Sequence, residues 1–224
     1  MSDEQTLTGW IENTLTRREL GLPGNALVEG RISWVRSDAS SVHWCANGGV
    51  VCTQDEELAD RIATLIDEGE RDDYVRIFPK LQSAIARIVP EAKCNMCALL
   101  YFAPRRDSEW GGREDIQPLP PDEVRANPRP GEVFLGIREG SHIISYASAL
   151  PRYEAGNHQF YWIGVRTHED FRRRGLGKAC VLAMLEYMGP GRSIAIWQCR
   201  TANAASMAMA RSVGFVQHSL SFGW

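Results

Sequence analysis

The spacing of apolar residues in the first half of the chain alternates between helical and strand-like periods. In chain order it predicts an amphipathic helix over 8–20, strands over 31–35 and 42–52, helices over 53–69 and 79–89, and a strand over 94–102. Asn47-Gly48-Gly49 favours a hairpin turn inside the second strand. Thr53 with Glu56 is typical of a helix-capping box, and Pro79 is typical of the first turn of a helix. The first half is therefore expected to be an α+β region.

The second half of the chain has a different order of elements. Its pattern predicts strands over 133–138, 143–149 and 160–167, a helix over 175–188, a strand over 193–199, a helix over 203–213 and a strand over 215–222. This order requires at least one parallel crossover. Six of the 11 prolines fall between Pro104 and Pro130, which indicates a linker or an elaborate loop. We expect a three-layer α+β fold with an N-terminal region over 1–110 and a second domain over 115–224.

Composition narrows the class of protein. The formal net charge is −3, so the chain has no basic excess with which to neutralise a nucleic-acid backbone. No stretch approaches the roughly 18 apolar residues of a membrane-spanning helix. The acidic, polar start MSDEQTLTGW is unlike a secretory signal. We expect a cytoplasmic globular protein with reduced thiols that binds neither nucleic acid nor membrane.

Six cysteines raise the question of a metal site. Cys94 and Cys97 have the C-x-x-C spacing, and a zinc site built with His43, Cys45 and Cys52 is conceivable. However, Cys94 opens an apolar run that is typical of a buried strand, on which residues three apart point to opposite faces. Because C-x-x-C alone is a weak signal, we expect no metal site.

Arginines and glycines precede the predicted helix over 175–188, in the segment Phe171-Arg-Arg-Arg-Gly175-Leu-Gly177. The first amides of a helix have no partner within it and carry partial positive charge, so they bind anions. The two glycines leave room for a phosphate, and the three arginines add forked donors. The segment predicts a pyrophosphate-binding loop, with a solvated helix start as the alternative.

A second motif follows one strand later. Asn203 is a natural helix cap, Ser206 lies in the first turn, and Gly214-Phe215 suits the helix end and the next strand. Together the motifs resemble those of the GNAT superfamily of acyl-CoA-dependent N-acyltransferases. The arginine–glycine segment resembles the family's [RQ]-x-x-G-x-[GA] motif, and the second resembles its N-x-x-S…G-F motif. The resemblance covers roughly 115–224, about half of the chain.

This resemblance implies a bent mixed sheet with flanking helices, in which acyl-CoA enters where two parallel strands separate. It implies acetyl-CoA as the co-substrate and a small-molecule or protein amine as the acceptor; a homodimer is left open. The residues that it assigns to acetyl-CoA binding are Val165, Thr167, Phe171, Arg172, Arg173, Arg174, Gly175, Leu176, Gly177, Lys178, Asn203 and Ser206. Among them, the backbone of Val165 and Thr167 would meet the pantetheine arm.

The chain departs from the family pattern at two places. Many members carry a tyrosine that protonates the leaving thiolate at the position of Ala210. Another group or water must then serve as the acid, or catalysis relies on positioning. The family also has two helices flanking the acceptor site, where residues 118–132 of this chain are broken by prolines. The helices predicted between Thr53 and Val89 could supply that wall, as a degenerate copy of the same fold or as an unrelated cap.

Direct transfer needs a neutral amine, and an alkylammonium has a pKa of about 10.4, so a base or a desolvating site must remove a proton. The candidate bases are Tyr161, His158 and, further back, Glu154. Tyr161 shares a strand face with Ile163 and Val165, and an aromatic packed in the core is the favoured interpretation. Ser206 either donates to the thiol region or merely completes the helix cap.

Other candidates on the same segments have weaker support. Trp197 and Gln198 could line an acyl pocket, although Trp197 fits the core better. Cys199 lacks an adjacent group that would activate it as a nucleophile. His168 and His218 are expected at the surface.

The sequence therefore predicts an N-acetyltransferase that moves an acetyl group directly to a primary amine through a tetrahedral intermediate. A non-catalytic acyl-CoA-binding or interaction protein is the alternative, as is an acyl-CoA decarboxylase or hydrolase on the same fold. The acidic run over 67–73 hints at a cationic acceptor, although a solvated helix end is the favoured explanation.

Overall fold

A computed structural model describes residues 9–11, 14–15, 17–18, 31–36, 40–45, 48–67, 74–90, 94–102, 113–189 and 191–223. The fold is mixed α+β, as predicted. In the first half the elements are β1 (Arg31–Arg36), β2 (Ser41–Cys45), β3 (Gly48–Thr53), α1 (Glu56–Asp67), α2 (Tyr74–Ala86) and β4 (Asn95–Phe102). In the second half they are β5 (Gln117–Pro118), α3 (Pro121–Val124), β6 (Val133–Glu139), β7 (His142–Ala155), β8 (His158–Thr167), a 3₁₀ turn (Glu169–Phe171), α4 (Leu176–Met188), β9 (Ser193–Arg200), α5 (Ala204–Val213) and β10 (Val216–Gly223).

The chain divides into two compact units. The first unit holds Met1–Leu99, Arg200–Ala202 and His218–Trp224, and the second holds Leu100–Cys199 and Asn203–Gln217. The predicted boundary between 110 and 115 adjoins residues 103–112, which lie outside the described residues. The division into 1–110 and 115–224 therefore stays a prediction.

In the first unit the strands follow the order β1-β3-β2-β10. β1 and β3 are parallel, whereas β2 is antiparallel to both β3 and β10. The antiparallel pairing of β2 with β3 confirms the predicted hairpin. The core contains buried residues from both helices, namely Ile62, Ile66, Leu81 and Ile85.

Two predicted helix starts in the first unit are wrong. Asp55, rather than Thr53, caps α1, because its Oδ1 accepts a hydrogen bond from the Leu58 amide at 3.0 Å. Thr53 ends β3 and is buried. Helix α2 begins at Tyr74, so Pro79 lies inside it. A proline there removes the hydrogen bond that its amide would donate to the carbonyl of residue 75, and its ring crowds that carbonyl.

The segment over 8–20 agrees with the predicted amphipathic helix wherever it is described. Residues 9–11, 14–15 and 17–18 are helical. Ile11 and Leu15 are fully buried, as expected for the apolar side. No helix in the described part of the chain is both long and apolar enough to cross a membrane.

In the second unit the strands follow the order β9-β8-β7-β6-β5. The pairs β5–β6, β6–β7 and β7–β8 are antiparallel, and β8–β9 is parallel, which confirms the predicted crossover. Helix α4 covers one face of β6, β7 and β8. Between residues 118 and 132 the chain forms one short helix, α3, where the family pattern has two.

Candidate functional site

Strands β8 and β9 separate part way along their length. Their pairing register runs from Gln159 against Ser193 to Trp162 against Ile196. Beyond this register β8 continues to Thr167 and β9 to Arg200. The two parallel strands thus open a gap toward their carboxyl ends.

Backbone groups of β8 face this gap. The amide of Gln159 donates to the Arg192 carbonyl at 2.8 Å, which fixes the odd-numbered residues of β8 as those that pair with β9. By this alternation, the N–H and C=O of Val165 and the N–H of Thr167 face the gap. The carbonyl of Thr167 accepts a hydrogen bond from Arg172 Nε at 3.3 Å.

Helix α4 begins just after β8 and carries unpaired amides. Its cap, Gly175, has a left-handed φ of 77° and makes no side-chain capping bond. The amide of Ala179 donates to the Gly175 carbonyl at 3.0 Å. The amides of Leu176, Gly177 and Lys178 therefore have no partner within the helix, which is the arrangement that binds anions.

The loop before α4 is held in a specific shape. Arg173 has a φ of 61°, a left-handed conformation that a residue with a side chain rarely adopts. Arg174 donates to the Asp170 carbonyl at 3.2 Å, and its guanidinium lies 5.0 Å from the ring centroid of Phe171. All three arginines and Lys178 are exposed, so their charges surround the helix start. Strained backbone is common at ligand-binding loops.

Gly177 has a different local role from the one predicted. A Cβ at this position would lie 3.0 Å from Thr167 Oγ1 and 3.3 Å from Met209 Cε. Its missing side chain lets α4 approach β8, and does not leave room for a phosphate. At Gly175 a Cβ would meet nothing within 4 Å, so the predicted open space exists there.

A small polar cluster joins α4 to the strands beneath it. Thr167 Oγ1 and Ser145 Oγ are 2.9 Å apart, and Cys180 Sγ donates to Ser145 Oγ at 3.6 Å. Burial raises the pKa of the Cys180 thiol, so the neutral form is favoured. The cluster fixes the helix start relative to the end of β8.

The first turn of α5 is also ordered by side chains. Asn203 Oδ1 accepts a hydrogen bond from the Ser206 amide at 3.1 Å, so Asn203 is the cap that the sequence predicts. The Ser206 hydroxyl accepts from Trp197 Nε1 at 3.0 Å, a contact that the sequence pattern does not reveal. Trp197 is buried and packs on Phe215, in agreement with its assignment to the core. Ala210 is fully buried one turn after Ser206.

The three candidate bases lie at different distances from the separation of β8 and β9. Tyr161 is half-buried and precedes Trp162, the last paired residue. His158 is also half-buried, but it lies four residues before Trp162, which is about 13 Å along a strand. Glu154 is exposed on β7. Of the three, Tyr161 is closest along the strand to the point of separation.

The remaining candidate side chains lie outside this arrangement, or their burial differs from the burial that the sequence predicts. Gln198 is exposed, and the Cys199 thiol lies 3.3 Å from Met207 Sδ. His168 is exposed, as predicted, with Nδ1 3.4 Å from Asp170 Oδ2. The prediction that His218 lies at the surface is wrong. Its side chain is buried in β10, and burial lowers its pKa to about 4.

The residues of the conceivable zinc site lie only partly within the described part of the chain. There, no three His, Cys, Asp or Glu side chains are grouped closely enough to hold a metal ion. The side chain of Cys45 lies outside the described residues. Cys52 is a buried free thiol.

The sequence pattern did not reveal a groove on the face of the sheet opposite α4. The cavity has a volume of about 500 Å³. Its lining residues are Glu123, Val124, Arg138, Ser141, His142, Ile143, Ile144, Tyr146, Arg166 and His168. These come from α3, the β6–β7 turn and the ends of β7 and β8, which are far apart in sequence.

Comparison with known protein families identifies one family that this chain matches. The family described as "Acetyltransferase (GNAT) family" matches residues 100–215, just over half of the chain. Among proteins of curated function, none matches the chain.

Several solved structures are similar. A GNAT-family protein from Novosphingobium aromaticivorans has 17% identity and a TM-score of 0.45, with 58% of this chain and 64% of that chain covered. The match thus spans less than two thirds of that protein. A GCN5-related N-acetyltransferase-like protein from Streptococcus suis has 18% identity and a TM-score of 0.42, over 65% of this chain and 68% of the other. An aminoglycoside acetyltransferase from an uncultured soil metagenomic sample, in complex with sisomicin, has 13% identity and a TM-score of 0.34, over 38% and 59%.

Proposed function

Because the chain belongs to the acetyltransferase (GNAT) family, we propose that it moves the acetyl group of acetyl-CoA to a primary amine. The single observation that supports this most strongly is the gap between β8 and β9, with the unpaired amides of α4 at its open end. A long, thin ligand with a diphosphate fits both features at once. The backbone edge in the gap takes its amide-containing arm, and the helix start takes its phosphates.

Different groups of the chain would bind different parts of acetyl-CoA. The N–H and C=O of Val165 would pair with the pantetheine arm as another strand would. The amides of Leu176, Gly177 and Lys178 would donate to the diphosphate, with Arg172, Arg173 and Arg174 around them as forked donors. Asn203 and Ser206 would complete the site near the thiol end.

The transfer step needs a base for the acceptor and an acid for the thiolate. The amine nitrogen forms a bond to the thioester carbon, the carbon–sulfur bond breaks, and the ammonium proton leaves. We assign the base role to Tyr161 ahead of His158, because Tyr161 adjoins the last paired residue of β8. Backbone N–H groups at the separation of the strands would stabilise the developing oxyanion.

Ser206 is our candidate for the acid. Its oxygen already accepts from Trp197, so its own proton is available to donate toward the leaving sulfur. Ala210 carries no group that could replace it. A thiol has a pKa of about 8.5, so the thiolate leaves readily near neutral pH and a strong acid is not required.

Lys178→Glu tests the proposed phosphate site without damaging the helix. A carboxylate in the first turn favours helix formation, but here it would repel the diphosphate and compete for the same amides. We expect acetyl-CoA affinity, measured by calorimetry, to fall at least about 10-fold, which is roughly 1.4 kcal/mol. The matched control is Arg192→Glu, the same change of charge at an exposed turn before β9. If both variants bind acetyl-CoA as the wild type does, the assigned site is wrong.

The same protein, assayed for thiol release with acetyl-CoA and a panel of amines, distinguishes the candidate activities. Release that depends on the amine supports acetyl transfer. Tight binding without release favours a non-catalytic acyl-CoA-binding protein, which Ala210 makes the second candidate. Release without any amine favours hydrolysis or decarboxylation. We also propose a cytoplasmic location, which the free thiols of Cys52 and Cys180 support.

A further inference from the structure

We propose that the groove lined by α3, the β6–β7 turn and Arg166 binds an anionic group of the acceptor, so that the preferred acceptor is an amine that also carries a carboxylate or phosphate. This inference rests on the proposed acetyltransferase function. It names the class of acceptor, which the family alone does not.

The groove opens on the sheet face opposite α4. Ser145 pairs with Thr167 across β7 and β8, and both reach the α4 side, where Cys180 contacts Ser145. The next pair along, Tyr146 with Arg166, must therefore project to the other face. Both residues line the groove.

Arg166 gives the groove an uncompensated positive charge. Its side chain is exposed, and no carboxylate of a described residue forms an ion pair with its guanidinium. An exposed guanidinium that forms no such ion pair can donate two parallel hydrogen bonds to a carboxylate or a phosphate. The groove thus contains a side chain that can donate hydrogen bonds to an anion.

The second arginine of the groove is held in place by protein groups. Arg138 forms an ion pair with Glu123 of α3 and donates to the Ser141 carbonyl at 3.4 Å. Glu123 is the one carboxylate among the described lining residues, and Arg138 neutralises it. Among the lining side chains Arg166 therefore supplies the excess positive charge. His142 lies beside it, and His168 has its Nδ1 3.4 Å from Asp170 Oδ2 at the edge of the groove.

Apolar side chains form the rest of the lining. Val124, Ile143, Ile144 and Tyr146 offer a surface for the carbon chain of a ligand. The groove of about 500 Å³ thus combines charged and polar side chains with an apolar surface.

The groove adjoins the strand that carries the proposed acetyl site. Arg166 directly follows Val165, whose backbone faces the gap, and lies four residues after Trp162. Four residues correspond to about 13 Å along a strand. By the same alternation Tyr161 projects to the α4 face, so the acceptor would extend from the groove through the gap between β8 and β9 to meet it. An acceptor whose amine and acid are separated by a carbon chain of that length would reach from the gap to the groove.

A series of ω-amino acids of increasing length, each beside its neutral carboxamide counterpart, tests the proposal. We expect the wild type to prefer the acids by at least about 10-fold in kcat/KM, with the preference carried by KM and highest at one chain length. Arg166→Gln should reduce this preference to within about 2-fold, and Arg166→Lys should keep part of it. Arg192→Gln, at an exposed position outside the groove, should leave the preference unchanged.

Two results would overturn the inference. One is a wild-type enzyme that acetylates acids and carboxamides equally well. The other is an Arg166→Gln variant that keeps the preference but binds acetyl-CoA more weakly, because the groove then serves a phosphate of the co-substrate.

A direct binding measurement tests the groove independently of the proposed acetyltransferase activity. Calorimetry with an ω-(acetylamino) acid and with its carboxamide measures the groove in the wild type and in Arg166→Gln, whether or not any amine is acetylated. Binding of the acid that depends on Arg166, together with no turnover, would support the groove and reject the proposed function. Turnover of neutral amines, with no selective binding of the acid, would reject the groove alone.

Discussion

Gly177 lies where helix α4 comes closest to strand β8, and Gly175 lies at the turn that begins the helix. Both were predicted as glycines that make room for a phosphate, but only Gly175 has open space beside it. The sequence carries the residue types, and the direction of each missing side chain depends on how α4 packs. His218 shows the same limit, because a single histidine near the start of a strand does not reveal which face of the strand is covered.

The two glycines should respond differently to alanine. Gly177→Ala adds a methyl group 3.0 Å from Thr167 Oγ1, which the bond to Ser145 holds in place, so we expect a loss of about 1–2 kcal/mol in the free energy of unfolding. Gly175→Ala meets no atom, but its left-handed φ of 77° should cost about 1 kcal/mol.

Urea unfolding of both variants provides the measurement. Gly175→Asn serves as the control, since asparagine tolerates the left-handed conformation better than alanine does. A Gly177→Ala variant as stable as the wild type would show that α4 does not pack on β8 as described.

At the scale of elements, the apolar periodicity and the residues typical of helix ends and turns predicted the helices and strands of the second unit well. The helix over 175–188 and the strand over 193–199 match α4 and β9 closely, because each has a strong apolar pattern and a defined start. In the first unit Pro79 and Thr53 were misleading. Pro79 lies inside α2 although a proline there costs stability, so a proline does not by itself mark the start of a helix. Asp55, rather than Thr53, caps α1.

Asp55→Ala should therefore weaken α1, whereas the capping box expected from Thr53 would have left Asp55 unimportant. Loss of the bond to the Leu58 amide should lower the free energy of unfolding by about 1 kcal/mol. In a chain of this size that corresponds to a thermal midpoint roughly 2–4 °C lower. Asp60→Ala, exposed in the same helix, is the control and should change the midpoint less. Equal midpoints for the two variants would contradict the capping role.

At the scale of the whole molecule, no sequence pattern predicted where β8 and β9 separate or what lines the groove. Both features arise from residues brought together by strand pairing, such as Tyr146 with Arg166. The arginine–glycine segment and the second motif did predict the region of the proposed acetyl-CoA site. Stability against acid is another property of the whole chain, because it depends on histidines that folding buries. The pKa values of both His43 and His218 are lowered by burial.

The free energy of unfolding should fall as the pH is lowered from about 6.5 to about 4. The unfolded chain takes up a proton on residue 218 near pH 6.5. In the folded protein the pKa of His218 is about 4, so burial favours the neutral form. Stability from this group is complete above pH 6.5 and is lost as the pH falls, by about 3 kcal/mol in total.

Chemical denaturation at several pH values measures this loss. His218→Gln should flatten the dependence and leave a smaller slope from His43. Parallel curves for the variant and the wild type would contradict the buried, neutral state of His218.

The route by which the first unit is completed has a consequence for biosynthesis. Strand β2, near residue 43, pairs with β10 through Leu220 against Trp44 and Phe222 against Val42. This contact joins segments separated by about 180 positions, so its formation is slow compared with local helix formation. A nascent chain emerging from the ribosome carries β2 with one neighbour missing until nearly all of the second unit has been translated. During that interval the open edge of β2 is exposed to other chains, and we expect chaperones to bind this intermediate.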